Sequence, residues 1–377
     1  MREPAGLDVH SAKYPNSLGF QQKIRKLFFI EKAGSILYYR IVPAYHFVGI
    51  VYKFRVIRSI TMTVLESEPM SRHTTFRTGG PARWFCPVSC VSEMIEVMDF
   101  AAEKNLPLYV IGRGSNLLVS DRGIDGVVME IADGFKKITV TQNTESEECG
   151  YIYAEAGAQL SAVAAAARDA GLAGLAFASG IPGTIGGGIS MNAGAYGGEM
   201  KDCVEYVDVL HMETGTGHEP GKTGEDTEGV SYRRERISGK DMRFSYRHSR
   251  CQEEKILILG AMLKLPKGDS EKIAEEMKDL NQRRREKQPL EYPSAGSTFK
   301  RPEGHFAGKL IQDAGLRGCA VGDAMVSEKH CGFVINRGNA TSDDIYRLIR
   351  HIEEEVEKQF GVRLETEVRL LGDFSIS

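Results

Sequence analysis

"SEMIEVMDFAAEKNLPLYVIGRGSNLLVS", residues 92–120, carries two hydrophobic periods in succession. Met94, Val97, Met98, Ala101 and Ala102 recur at helical spacing on one face. "LPLYVI" then runs apolar, as a buried strand does, and breaks at a Gly-x-Gly-Ser-Asn turn over residues 112–116. A helix feeding a buried strand is an α/β unit. Further strands are predicted around it at "GVVMEI" (126–131), "GYIYAEAGA" (150–158) and "VEYVDVL" (204–210), and a second helix at the Ala-rich "QLSAVAAAARDAGLAG" (159–174). The acidic, Gly-rich stretch 213–230 reads as a loop.

A second block starts near Lys267 with a helix predicted to about Lys287. It closes with "TSDDIYRLIRHIEEEVEKQFG" (341–361), which has a Thr341 cap, apolar Ile345, Leu348, Ile349, Ile352 and Val356, and a Gly361 stop. The tail "VRLETEVRLL" (362–371) alternates, predicting a half-buried strand with Leu364, Thr366, Val368 and Leu370 on one face and Glu365 and Glu367 on the other.

The chain of 377 residues is long enough for two or three domains. Forty-eight basic residues against 51 acidic ones leave no basic footprint for nucleic acid, so a small-molecule partner is expected. Seven cysteines form no CxxC pair and no metal-ligand spacing, as in reduced cytosolic proteins, and no metal is expected. The sequence carries no secretory signal pattern and no run of 18 apolar residues. Residues 1–61 read as a separate extension. From Phe20 to Ile60 there are eight Lys or Arg against a single acid, Glu31, among many aromatics, and the uncharged stretch 41–52 is too short to span a bilayer. Such a segment suits a membrane surface or a partner, but the commoner reading is an extension ahead of the first domain, with Met62 or Met70 nearer the functional start.

In "SGIPGTIGGGISMNAGAYGGEM" (179–200), eight glycines interleave with Ile181, Ile185, Ile189, Met191 and Tyr196, and no charge appears before Glu199. Flexible linkers are polar; this run reads as buried backbone packed closely on a strand or on a flat ligand. The familiar phosphate cradles fit poorly. Gly112 and Gly114 lack a third glycine at the Rossmann spacing, and "GHEPGKT" (217–223) misses the P-loop by one residue. What remains is a turn whose exposed N–H groups can form an anion nest.

Six ordered blocks carry a resemblance: "HTTFRTGGPA" (73–82), "VIGRGSNLLVSDRGIDGVV" (110–128), the glycine run 179–200, "FSYRHS" (244–249), "SAGSTFKRP" (294–302) and "LETEVRLLG" (364–372). Over about residues 62–374 the chain resembles the UDP-N-acetylenolpyruvoylglucosamine reductase family, in the shorter form without a tyrosine-loop insertion. The resemblance implies an α+β fold: a two-lobed FAD-binding module of the vanillyl-alcohol-oxidase (PCMH) type over 62–266, then a smaller substrate-binding domain over 267–377. It implies FAD as cofactor, NADPH as hydride donor, a UDP-sugar substrate and a cytoplasmic enzyme of peptidoglycan synthesis. Gly112, Arg113, Gly114, Ser115, Asn116 and Leu117 are expected on the pyrophosphate side. Ile181, Pro182, Gly183, Gly186, Gly187 and Asn192 are expected further along the cofactor, with Thr75 to Gly80 closing over the nucleotide.

Reduction of an enolpyruvyl ether puts negative charge beside a carboxylate, and that charge must be stabilised and protonated. By the resemblance, Arg247 is the electrostatic stabiliser, Ser297 the proton donor, and Glu367 rather than Glu365 the partner of Ser297. Tyr196, Lys300 and Arg301 are weaker candidates for the diphosphate or sugar. A flavin oxidase on the same scaffold and a flavin-binding module without turnover are the rival readings.

Overall fold

The structure is a computed structural model. It describes residues 62–131, 133–141, 148–213, 231–254 and 256–375, with Glu31, Lys32, Ser35 and Ile36. The chain divides into two units, Met1–Thr61 and Met62–Ser377. In the first, strands β1 (Glu31–Lys32) and β2 (Ser35–Ile36) pair antiparallel. The remaining expectations for the extension, the loop beyond Glu213 and the P-loop near-miss lie outside the described residues.

In the second unit the opening helix–strand pair forms as its periodicity dictates. Helix α1 (Val91–Glu103) buries Met94, Val97, Met98 and Ala101 against a sheet of order β3-β4-β7-β5, made by Leu65–Pro69, Pro81–Val88, Ile124–Ile131 and Leu108–Ile111. β4, β7 and β5 run parallel, and β7 is buried at five of its eight residues, as expected of a parallel strand covered on both faces. β6 (Leu117–Val119) follows the Gly-x-Gly-Ser-Asn turn.

A second, antiparallel sheet has the order β13-β12-β14-β9-β8, from Ser231–Ser238, Val204–Glu213, Ile256–Pro266, Cys149–Glu155 and Ile138–Thr141. Its inner face shares one core with α2 (Leu160–Asp169), α3 (Ile185–Ser190) and α4 (Ser270–Lys287). The alanines of α2 keep its side chains short: Ala164 and Ala167 are buried with Leu160 and Val163. α4 contributes Ile273 and Met277 to this core, so by packing it goes with the second lobe, although the expected domain boundary falls ahead of it.

The C-terminal part builds its own core from α5 (Ala307–Asp313), α6 (Ser342–Phe360) and a small sheet of β15 (Ala320–Val321), β16 (Ala324–Val326) and β17 (Val334–Asn336). α6 has the predicted capping box: Thr341 accepts from the Asp344 N–H while the Asp344 carboxylate accepts from the Thr341 N–H. Gly361 ends it at φ 68, a conformation that costs other residues. Ile345, Leu348, Ile352 and Val356 are fully buried, each worth about 1.5–3 kcal/mol of transfer free energy.

The glycine run forms a 3-10 turn at Ala176–Gly180, then α3, then a hairpin of β10 (Gly194–Ala195) and β11 (Gly198–Glu199). One local expectation is corrected. The tail is strand only over β18 (Arg369–Leu371), which pairs parallel with β6. Leu364 and Val368 are buried, but Leu370 is 37% exposed, so the predicted single apolar face is broken. The bend ahead of β18 frees Glu367 from the alternation that register would impose, and the pairing with β6 carries it to the Gly-x-Gly-Ser-Asn turn.

Candidate active site

That turn hangs between β5 and β6. Gly114 sits at φ 59 with its α-carbon pressed on the His73 carbonyl, where a Cβ would come within 1.9 Å of the oxygen. Only glycine fits there. The N–H groups of Arg113, Gly114, Ser115 and Asn116 donate to no acceptor among the described residues. Four successive free donors on a tight turn form a ready cradle for an anion.

The turn opens into a cavity of about 1030 Å³. Gly112, Arg113, Gly114, Ser115, Asn116 and Leu117 line one wall, and Ile181, Pro182, Gly183, Gly186 and Gly187 the facing one. The glycines of the second wall divide the work. A Cβ on Gly186 would meet the Ala156 backbone at 3.2 Å, and one on Gly188 the Leu160 side chain at the same distance; these two let α3 lie tightly on its neighbours. Gly183 and Gly187 have no neighbour closer than 3.6 Å and keep the wall flat. Gly183→Val is therefore expected to fold normally yet lose at least ~10-fold in flavin affinity, on the order of 1.4 kcal/mol, because the side chain enters the cavity. Purified Gly183→Val with full flavin absorbance would contradict this.

Asn192 stands apart. It is fully buried at φ 40, and its amide donates to Glu199 and to the Ser245 carbonyl, both at 3.0 Å, while accepting from the Lys201 N–H at 2.9 Å. With all its polar atoms engaged by protein, it braces the wall from behind instead of facing the cavity. Of residues 75–80, Thr75 and Arg77 border a neighbouring cavity of about 990 Å³ that shares Gly112, Arg113, Pro182 and Thr184 with the first. Thr78 is buried on Ser342, and Gly80 packs on the Asp121 carbonyl.

Arg247, Ser297 and Glu367 line the same cavity. "SYRH" is a two-residue turn, closed by reciprocal bonds between Ser245 and His248 of 3.1 and 3.2 Å. Arg247 occupies its second corner at φ 57, a position that favours glycine and costs an arginine on the order of 1 kcal/mol. From there Nε donates to Glu367 Oε1 at 2.5 Å, with both side chains under a fifth exposed. Burial raises the Glu367 carboxyl above the usual carboxylate range, opposed first by Arg247 and then by Lys300.

Ser297 is placed beside Glu367 by its neighbour. The Thr298 carbonyl accepts from the Glu367 N–H at 2.8 Å, its N–H donates to the Gly332 carbonyl, and its hydroxyl accepts from the Val334 N–H. Asn116 ties the opposite end: its amide donates to the Glu367 carbonyl at 3.0 Å, and its own carbonyl accepts from the Arg369 N–H. The Ser297 hydroxyl itself bonds to no described residue.

The three outer candidates do not line the cavity. Tyr196 is 46% exposed at the tip of the β10–β11 turn, Lys300 is ion-paired to Glu365 at 3.1 Å, and the Arg301 guanidinium lies 4.0 Å over the Phe306 ring. Two arginines that pattern reading missed do line it. Arg284, in the middle of "RRR" on α4, has no ion-pair or hydrogen-bond partner for its guanidinium among the described residues, and burial lowers its pKa. Arg369 is likewise lowered by burial and donates to Gln252. Three consecutive arginines on a polar helix look like a solvated face, so no sequence signal singles out the middle one.

A profile described as "FAD binding domain" matches residues 83–219, and one described as "UDP-N-acetylenolpyruvoylglucosamine reductase, C-terminal domain" matches residues 288–371. A curated UDP-N-acetylenolpyruvoylglucosamine reductase of Agathobacter rectalis is 48% identical over 328 residues, covering 84% of this chain and 98% of that protein. The chain belongs to this reductase family. The reductase of Lachnoclostridium phytofermentans is also 48% identical, over 83% of this chain and 94% of its own. A crystal structure of the reductase from Thermus caldophilus matches with a TM-score of 0.65 at 31% identity, over 82% of this chain and all of that one.

The fold is accordingly the α+β, PCMH-type flavin module with a smaller C-terminal domain, and the protein is an FAD-dependent oxidoreductase of peptidoglycan precursor synthesis. The residues fit the cofactor on their own terms. Four free N–H donors and an unpartnered guanidinium suit a pyrophosphate, an open Gly183–Gly187 wall suits a flat ring, and the cavity is at the upper end of ligand-pocket volumes. No helix among the described residues is long and apolar enough to cross a membrane, and none of their His, Cys, Asp and Glu side chains cluster as metal ligands.

Proposed function

We propose that the protein reduces the enolpyruvyl ether of a UDP-N-acetylglucosamine to UDP-N-acetylmuramate in the cytoplasm, drawing electrons from NADPH. The observation that carries this reading is the Arg247–Glu367 pair, which lines one cavity together with a free Ser297 hydroxyl and with the anion turn, whose Asn116 bonds the Glu367 carbonyl. A module without turnover has no use for a strained arginine aimed at a half-buried carboxylate.

Bound FAD supplies a two-electron hydride donor that NADPH recharges. Everything else falls to the chain. Residues 62–266, joined by Arg284 of α4, hold the flavin, and the rest of 267–377 contributes the substrate side. The N–H groups of Arg113–Asn116 and the Arg284 guanidinium hold the pyrophosphate. Arg247 spends Nε on Glu367 and one Nη2 N–H on the Gly194 carbonyl at 3.4 Å, and presents its remaining N–H groups to the substrate carboxylate. As hydride reaches the methylene carbon, negative charge spreads from the adjacent carbon into that carboxylate, where the guanidinium lowers its energy. The Ser297 hydroxyl gives its proton to the adjacent carbon and is reprotonated from solvent by way of Glu367. Tyr196, Lys300 and Arg301 stand outside the cavity, where the UDP end of a long substrate meets them.

Steady-state specificity tests the reading. NADPH absorbance should fall on adding the enolpyruvyl nucleotide, without oxygen, and not on adding UDP-N-acetylglucosamine itself. Turnover that requires oxygen and ignores the enolpyruvyl group would make the protein an oxidase.

A further inference from the structure

Gln252 is a half-buried residue that neither composition nor motif singles out, yet it touches three parts of the site. Its amide nitrogen donates to the Ser190 carbonyl at 2.6 Å and to the Arg247 carbonyl at 3.1 Å, and its amide oxygen accepts from Arg369 Nη2. Ser190 is the last residue of α3, on the cavity wall, and its carbonyl also accepts from Ser249, a fully buried hydroxyl, at 2.9 Å. Both N–H donors and one acceptor site of the side chain are therefore committed, a geometry with little freedom to slip.

We propose that Gln252 is a positioning residue for the reaction, holding the strained Arg247 turn and the Arg369 guanidinium in register with the end of the glycine-rich helix. Arg247 needs such a hold. It occupies a glycine-like corner of a two-residue turn, and its side chain reaches Glu367 from there; relaxation toward an ordinary φ would swing the guanidinium off the carboxylate. Asn192 fixes the turn at its entry through the Ser245 carbonyl, and Gln252 fixes it at the Arg247 carbonyl itself. Arg369, which also lines the cavity, is held by the same amide, so one side chain ties the Arg247 backbone to the Arg369 guanidinium.

The inference rests on the function proposed above, and half-reaction kinetics separate the two. In Gln252→Met the bonds to both carbonyls and to Arg369 are lost. In Gln252→Glu the acceptor for Arg369 remains, but a carboxylate oxygen faces the Ser190 and Arg247 carbonyls. Both variants, as flavin-loaded full-length protein, should bleach with NADPH at close to the parental rate. Reoxidation by the enolpyruvyl nucleotide should slow by ~10- to 100-fold, the scale of a displacement of about 1 Å in a positioned group, with a higher nucleotide concentration needed for half-maximal rate. The pH-profile limb that reports Glu367 should move to higher pH, because the charged groups facing Glu367 are Arg247 and Lys300, and only the Arg247 contact is loosened. If Gln252→Met does not fold, Gln252→Glu carries the same test. Parental reoxidation in either yellow variant would overturn the proposal, as would an equal fall in both half-reactions in proportion to bound flavin, which is the mark of a mere strut. If the unmodified protein itself is not reoxidised by the nucleotide, the function fails and not this assignment.

Discussion

Ser297→Ala is expected to leave NADPH-driven bleaching of the flavin near the parental rate while slowing reoxidation by the enolpyruvyl nucleotide by ~10² to 10⁴, the range for loss of a positioned acid. The two halves separate because the first hydride transfer does not need a proton delivered to substrate. The substitution also disturbs little else. The Ser297 hydroxyl makes no hydrogen bond to a described residue, and the bonds that fix this segment belong to Thr298. Stopped-flow absorbance of each half-reaction checks it. Normal reoxidation by Ser297→Ala would make Ser297 a turn residue and pass the proton to Glu367 or a bound water.

Arg247→Gly should damage the same half-reaction by a different signature. Glycine accepts φ 57 without strain, so the turn is relieved by about 1 kcal/mol while the guanidinium is removed. Reoxidation should slow by ~10² to 10³, the usual loss on deleting one group that stabilises developing charge. Substrate binding should weaken as well, because the carboxylate partner is present in the ground state. The pH dependence has a definite sign. Burial raises the Glu367 pKa and Arg247 is the main opposing influence; with Arg247 gone the carboxyl rises further, and the limb reporting its ionisation moves to higher pH. A half-reaction profile against pH measures this, and an unmoved limb would show that the 2.5 Å contact does not set the ionisation of Glu367.

The elements that local periodicity dictates were legible: α1, α2 and α6, the capping box at Thr341 and the buried strands all lie where the residues place them. Elements decided by distant partners were not. The tail alternates like a strand, but its register is set by pairing of Arg369–Leu371 with Leu117–Val119, some 250 positions away, and the bend this forces turns Glu367 toward Arg247. "RFSYRHSR" alternates too, yet the bonds between Ser245 and His248, with Asn192 and Gln252 behind, fold it into a turn. Glycines in one run look alike in sequence; only their neighbours distinguish Gly186, which packs on Ala156, from Gly183, which faces the cavity. The same blindness hid Arg284 and Gln252, whose chemistry lies in what surrounds them.

The cavity lined by the anion turn and by Arg247, Ser297 and Glu367 is expected to couple a flavin to an enolpyruvyl carboxylate. An anaerobic titration tests it most directly: the purified yellow protein is bleached with one equivalent of NADPH and then mixed with UDP-N-acetylglucosamine enolpyruvate. The yellow colour should return in full without oxygen, with one UDP-N-acetylmuramate formed for each flavin reoxidised. A flavin that stays bleached beside the nucleotide and recovers only when oxygen is admitted would contradict it.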